Sequence, residues 1–454
     1  PIAQPPTVTG ISPLTTLTSG GVLAGWSQEH KFVSPDAVFN DLMGADAKNM
    51  SMSADGTKYI VGVPTSGTGG RGAAYIFTYS GGSWDTGTKL QAPSPVNGDE
   101  FGYSVSMNSD GTKVIVGTRG HYTSYTKQGA AYIFTYSSGS WGSGTKILAS
   151  DAATGNQFGT SVTMSGDGTK VVVGAFSISN WDIIGFGYYF TWNGSIWTQQ
   201  QKITTTTPAL VVNDYFFWDC NMNTAGTKMI VGAFGYDLPS ESETGAAFIF
   251  TFNGSSWSQE AYLAPPTSDR QGGDQFGRIV AMSGDGNTVI VSMNNDDLGG
   301  NNKPNAGAAY IFTYSSGSWD TGTKIVAADA ETNNDFGRSV AINSDGTTVV
   351  VGSPDHVYSG PRYGTAYRFT YDGSIWDTGT RIDALDAQGS DEFGASVAMN
   401  SDGTKILVGA RREDDGATDA GAVYLFSYRV TELFDASTQV FTATGTGIVS
   451  GSTV

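Results

Sequence analysis

The sequence predicts an all-β chain: a seven-bladed β-propeller of four-stranded blades, closed by an N-terminal strand that completes the last blade. Three observations carry this prediction. A unit of 57 to 60 residues recurs, counted between Phe101, Phe158, Phe216, Phe276, Phe336 and Phe393. Each unit holds four short apolar runs and no helical periodicity. The seventh unit lacks its last run, and a matching run stands near the start of the chain. A fixed period of this size marks a modular array.

The clearest unit is FGYSVSMNSDGTKVIVG, residues 101–117, followed by GAAYIFTYSSGSW, residues 129–141. Its first strand is Ser104 to Asn108, with alternating character. Asp110–Gly111 then makes a tight turn, because glycine accepts the positive φ that a two-residue hairpin requires. The β-branched run Lys113 to Gly117 is the second strand. A loop of variable length leads to the third, Ala130 to Tyr136, and a Ser-Gly turn to the fourth, SWGSGTKIL. Two copies are worn. One has Phe216–Phe217 in place of Phe-Gly. The other begins near Asp46 and is recognised by SADGTKYIVG, residues 53–62.

The closing strand is read from a spacing. In the repeats a Trp is followed five residues later by a cation, as in Trp84 and Lys89, Trp141 and Lys146, or Trp376 and Arg381. Trp26 and Lys31 keep that spacing, so residues 24–34 are predicted to supply the strand that the seventh copy lacks. Closure removes exposed end strands. An open β-solenoid or a row of sandwiches would leave the borrowed strand unexplained. The repeated aromatics, including Trp141, are expected to be core.

The predicted organisation is a flank at residues 1–20, the propeller at 21–430 and a second β-rich flank at 431–454. The formal charge is −18, from 24 Lys and Arg against 42 Asp and Glu, which argues against nucleic acid or an anionic membrane as partner. No run of 18 apolar residues exists, so no membrane-spanning helix and no direct membrane insertion are expected. The lone cysteine, Cys220, lies in a strand pattern and reads as a small core residue. A first residue Pro1 and the absence of a signal peptide suggest a processed protein or a piece of a longer, multidomain one.

The Phe-Gly starts, the VGA or VGSP after the second strand (Val173–Gly174–Ala175, Val351–Gly352–Ser353–Pro354, Val408–Gly409–Ala410) and the Gly-Ala before the third resemble FG-GAP repeats, the units of the integrin α-subunit propeller. The resemblance implies the same seven-bladed fold and a surface or extracellular setting. Family members often carry a calcium loop in the first hairpin, with acids at alternate positions. Here the hairpin is a bare Asp-Gly turn, too poor in oxygen ligands for a tight site. Its following lysine (Lys58, Lys113, Lys170, Lys228, Lys405) is expected to pair with the turn aspartate. The two flanks resemble, over short stretches, an IPT/TIG immunoglobulin-like module.

Function is expected on the face where the copies differ. The turns after the first and third strands hardly vary. The connections after the second and fourth strands do vary, and they must share the opposite face, where loops on a rigid scaffold collect binding residues. The candidate ligand-binding aromatics there are Tyr122, Tyr125, Trp181, Tyr236, Tyr358 and Tyr363. Asp296, Asp297, Asp414 and Asp415 are weak metal candidates, more simply read as solvated loop acids. His30, His121 and His356 form no triad or zinc spacing, and no cofactor is expected. Asn49, Asn193 and Asn253 match the glycosylation acceptor pattern.

The expected function is a non-enzymatic module for attachment or assembly on a cell surface, extracellular filament or virion, with a protein or glycan as partner. A lectin-like glycan binder is the alternative. An enzyme with an axial active site is third, because no acid, base and nucleophile set recurs.

Overall fold

The structure, a computed structural model, describes residues 22–121, 127–179, 182–205, 210–238, 241–298, 303–357 and 362–432. The described residues form seven antiparallel sheets, each meandering outward from a short inner strand. In blade two the inner strand is Phe101–Met107, followed by Lys113–Thr118 and Ala130–Ser137. Its outer edge is two short pieces, Ser140–Trp141 and Thr145–Ile147. The second strand is buried along nearly its whole length (Lys113–Thr118, likewise Lys58–Val63 and Lys228–Ala233), which explains why it reads as an unbroken apolar run.

Blade seven is completed from the far end of the chain. Its strands Phe393–Met399, Lys405–Ala410 and Ala422–Glu432 are joined at the outside by Val22–Val33. Val22 lies opposite Glu432, Trp26 opposite Tyr428 and Lys31 opposite Tyr424. Trp141 opposite Tyr136 and Lys146 opposite Tyr132 repeat that register in blade two. The Trp-to-cation spacing therefore marked the closing strand correctly.

The core is a set of layers between blades. Ile60, Ala74 and Ile76 of blade one, for example, pack with Phe101, Val105, Val116 and Phe134 of blade two. The Phe of each Phe-Gly packs tilted or edge-on against its own third strand, Phe101 on Tyr132 and Phe134, Phe276 on Tyr310 and Phe312. Met43–Gly44 takes that role in blade one. Met43 is fully buried, and its N–H donates to the carbonyl of Ala420. The Gly after Phe is needed for close approach. A Cβ on Gly62 would lie 1.9 Å from the carbonyl oxygen of Gly102, whose own φ is +95°.

The worn copy breaks this rule and shows how the fold absorbs the break. Phe217 replaces the glycine, at φ +65°. Its ring occupies the space above Gly187, where a Cβ would meet Cζ at 2.1 Å. Gly187 pairs with Gly174, as Ala131 pairs with Gly117 and Ala247 with Gly232. A lost glycine on one blade is matched by a lost methyl on its neighbour.

Two expectations are corrected here. Trp141 is half-buried on an outer strand, tilted against Tyr136, whereas among the described tryptophans Trp257 is the one that is buried, at 3% exposure. The turn lysines do not pair with their own aspartates. Lys58 Nζ donates to the Asp110 carbonyl, Lys113 to Gly168 and Lys405 to Gly56, each in the next blade's turn. The aspartates are consumed locally, as Asp110 accepts both the N–H and the hydroxyl of Thr112.

The turns also close a ring. Ala54 N–H donates to Ser109 O, Ser109 to Gly166, Gly166 to Thr224, and Thr224 to Gly284. Asp285 N–H reaches Ser344 O, Ser344 reaches Ser401, and Ser401 returns to Ala54. Seven backbone hydrogen bonds of 2.8 to 3.3 Å thus tie all seven inner turns around the axis.

Candidate functional site

Each inner strand runs toward its first hairpin turn, Asp-Gly in six blades and Ala225–Gly226 in blade four, so the residues just after Phe-Gly surround the axis at the other end, among the variable connections. They are Tyr103, Thr160, Trp218, Arg278, Arg338 and Ala395, with Lys48 in the blade-one place. Thr160 and Ala395 are fully buried, and the half-buried Trp218, Arg278 and Arg338 form the open part of an axial mouth. Lys48 precedes Asn49, whose carbonyl accepts the Gly62 N–H as the Asp219 carbonyl accepts that of Gly232. Blade one reaches this place through three extra residues, Ala45 to Ala47.

The mouth gathers cations in a chain that is acidic overall. Lys48 is only 6% exposed. Its ammonium lies 4.1 Å from the Trp218 ring centroid and 4.8 Å from that of Tyr103, and it donates to the Trp218 carbonyl at 3.4 Å. Such aromatic faces stabilise a cation electrostatically. The Arg119 guanidinium covers Tyr103 at 3.7 Å and pairs with Glu100. Arg278 sits 5.4 Å from the Phe234 ring and bonds Gln275 Oε1 at 2.6 Å. Burial and the neighbouring Arg338 lower its pKa. Burial works against the Asp46 carboxylate, yet Lys48, Arg338 and Arg278 together hold its pKa below the usual value.

Below the mouth is an axial cavity of about 170 Å³, lined by Lys48, Asp219, Cys220 and the inner strands. Burial pushes Asp219 up to about 7 against the pull of Lys48. Burial likewise raises the Cys220 thiol, 3.6 Å from Ser161 Oγ, consistent with a core cysteine.

The residues singled out in the sequence are placed differently. Tyr122, Tyr125, Trp181 and Tyr358 lie outside the described residues. Tyr236 is not presented on the surface. It is buried against Phe248, with ring centroids 5.8 Å apart, because the loop folds back and Gly245 N–H bonds the Tyr236 carbonyl. Tyr363 is half-buried. Asp296 is buried and paired with Lys324, Asp415 pairs with Lys31, and Asp297 and Asp414 accept loop N–H groups from Asn305 and Asp419. Among the described residues no group of three or more His, Cys, Asp or Glu side chains is arranged to hold a metal. Asn49 is fully buried, which removes it as a glycosylation acceptor.

Other polar side chains near these loops are structural posts. An aspartate seven residues before the Phe-Gly start recurs with the cation of the outer strand: Asp36 with Lys89, Asp151 with Lys202, Asp269 with Lys324, Asp329 with Arg381, and Asp386 with Lys31. Tyr75, Tyr310 and Tyr367 donate to the same carboxylates. Blade four has Phe248 opposite Tyr262 instead of that tyrosine and cation. In blade two His121 bridges Asp99, at 3.0 Å, and Lys146, at 2.6 Å.

The FG-GAP repeat family matches at residues 84–134, 141–183, 257–312, 319–369 and 376–426, more than half of the chain. The chain belongs to the FG-GAP repeat family. The FG-GAP matches begin on an outer strand and end on the third strand of the next blade, so the sequence unit straddles two blades. They omit the copy containing Phe216–Phe217. A solved structure of Kuenenia stuttgartiensis hydrazine synthase superposes with a TM-score of 0.53 at 10% identity, over 88% of this chain and 99% of that one. That likeness shows the propeller fold alone. No curated protein matches the chain. FG-GAP propellers serve generally as interaction modules and are typical of extracellular proteins. Among the described residues no helix is long and apolar enough to cross a membrane.

The mouth residues were missed in the sequence. The signal was present: the position after Phe-Gly reads Tyr, Thr, Trp, Arg, Arg and Ala among otherwise matching neighbours.

Proposed function

We propose that this FG-GAP propeller is a non-enzymatic attachment or assembly module, set on a cell surface, extracellular filament or virion, which holds a protein partner on its variable-loop face. One observation carries the reading: the two faces of the disc are built differently. The turn face is short, repeats from blade to blade, and has its backbone groups committed to the seven-membered hydrogen-bond ring. The variation in length collects at the other face, around a mouth rich in Arg, Lys, Tyr and Trp. Arg, Tyr and Trp are enriched at protein interfaces.

The test is photo-cross-linking in the native assembly. A cross-linking residue is placed in loops 234–244 and 354–363, and for comparison at Thr57, Thr112 and Thr169 on the turn face. Partner adducts are expected from the loops. Adducts from the threonine positions alone would reject the assignment.

A further inference from the structure

We propose that the axial mouth is an anion site that takes the carboxylate of an acidic peptide loop from the partner, and that Asp46 fills it in the free propeller. This deepens the proposed function and rests on the partner using this face.

The first argument is charge. Lys48 and Arg278 both lie against the Trp218 ring, at 4.1 and 5.8 Å from its centroid, and Arg338 takes the place of Arg278 in the next blade, in a chain of net charge −18. Among the described residues none of the three forms a salt bridge, whereas Lys31, Lys89, Lys202, Lys324 and Arg381 all do. Partly buried like charges repel, and a buried cation is costly unless an anion or a dense set of dipoles answers it. The rings of Trp218 and Tyr103 answer Lys48 in part. Asp219 faces Lys48, and Asp335 faces Arg338 and Arg278, but none of these pairs is a salt bridge among the described residues. The two arginines present planar forks that fit a further carboxylate.

The second argument is the chain's own occupant. Asp46 stands on the three-residue extension that blade one alone carries. Its Oδ1 accepts the Lys48 backbone N–H at 3.2 Å, a local turn that fixes the carboxylate beside Lys48. The carboxylate feels all three cations, yet it makes no ion pair with them among the described residues. An aspartate on a short loop is therefore the size and chemistry that the mouth already accommodates, held looser than contact.

The third argument separates a peptide from a sugar. A sugar ring needs a free aromatic face. Tyr103 carries Lys48 and Arg119, and Trp218 lies between Lys48 and Phe176, which stacks on it at 5.7 Å. The exposed resource is charge, not stacking surface.

The experiment titrates a capped Gly-Asp-Asp-Gly peptide into the whole chain by calorimetry, at low and high salt. Variants are Asp46→Asn, a deletion of Ala45 to Ala47 that restores the length of the other copies, and Arg278→Gln/Arg338→Gln placed on each. The expected result is binding about tenfold tighter once Asp46 is removed, as one competing charge leaves a half-buried site, and weaker in salt. The arginine changes should abolish it. Thermal unfolding of each variant reports folding, and the peptide should raise the midpoint of Asp46→Asn more than that of the parent. No gain in either Asp46 variant, or binding that survives the arginine changes, would overturn the site. Preference for trigalacturonate over the peptide would overturn the peptide assignment. If loop cross-links to the partner persist while Arg278→Gln/Arg338→Gln leaves partner affinity unchanged, this inference fails and the face assignment stands.

Discussion

Asp274 and Asn334 occupy one place in successive blades, two residues before the Phe-Gly start, and both are buried. Asp274 accepts the Gln271 N–H at 2.7 Å, and Asn334 bonds His356. The acid is the costly choice. Burial pushes Asp274 up to about 7, and Asp296, Asp297 and Asp269 add to the shift. Burial also lifts Asp214 and Asp391 to about 6. In the unfolded chain such groups ionise near ~3.9. Between that value and the folded pKa the native state holds more protons, so stability is full below about pH 4 for these groups and declines as pH rises through 6 to 7. The melting midpoint is therefore expected to be higher at pH 5 than at pH 8. Asp274→Asn should raise the pH 8 stability by about 1–2 kcal/mol, allowing for solvent screening, and shrink the difference between the two pH values. An unchanged pH profile in Asp274→Asn would contradict the assignment.

At the scale of elements, the strands are legible where a residue's partner lies within its own repeat. The Asp110–Gly111 turn and the double burial of Lys113–Thr118 can be read from one copy. The closing strand Val22–Val33 can be read too, because Trp26 and Lys31 face the third strand as every other copy's pair does. What could not be read crosses between blades. The acceptor of Lys58 is a carbonyl 52 residues on, and the reason for Gly187 is a phenylalanine in the next copy. Met43–Gly44 was hidden by a changed side chain and by the extension that follows it. The mouth was hidden because its members are adjacent only once seven strands surround the axis. The Phe217–Gly187 contact gives a direct test. Gly187→Ala should cost about 1–3 kcal/mol, as overpacking does. Phe217→Gly in that background should recover much of the loss, since it restores the pair seen at Ala131 and Gly159. Equal additive losses in a double-mutant cycle would show the two positions to be independent.

At the scale of the molecule, the disc is secured at its floor by a hoop of backbone hydrogen bonds and at its seam by one strand pair. The hoop makes the inner turns a fixed base, while the connections at the mouth are free to differ in length between the recurring Asp–cation posts. The seam has a further property. Val22 and Glu432 lie opposite each other at the same end of an antiparallel pair. Antiparallel hydrogen bonds run across the strands. A pull that separates the two chain ends therefore loads these bonds one at a time, from Val22 toward Val33, like opening a zip. A pull that draws both ends the same way does not load them. In an optical trap with handles on the two ends, the first event is expected to be a low-force release of about one strand's length, before any blade yields. A single high-force rupture would contradict this. The propeller is thus mechanically one-sided at its seam: load that draws Val22 and Glu432 the same way leaves the strand pair closed, and load that draws them apart opens it.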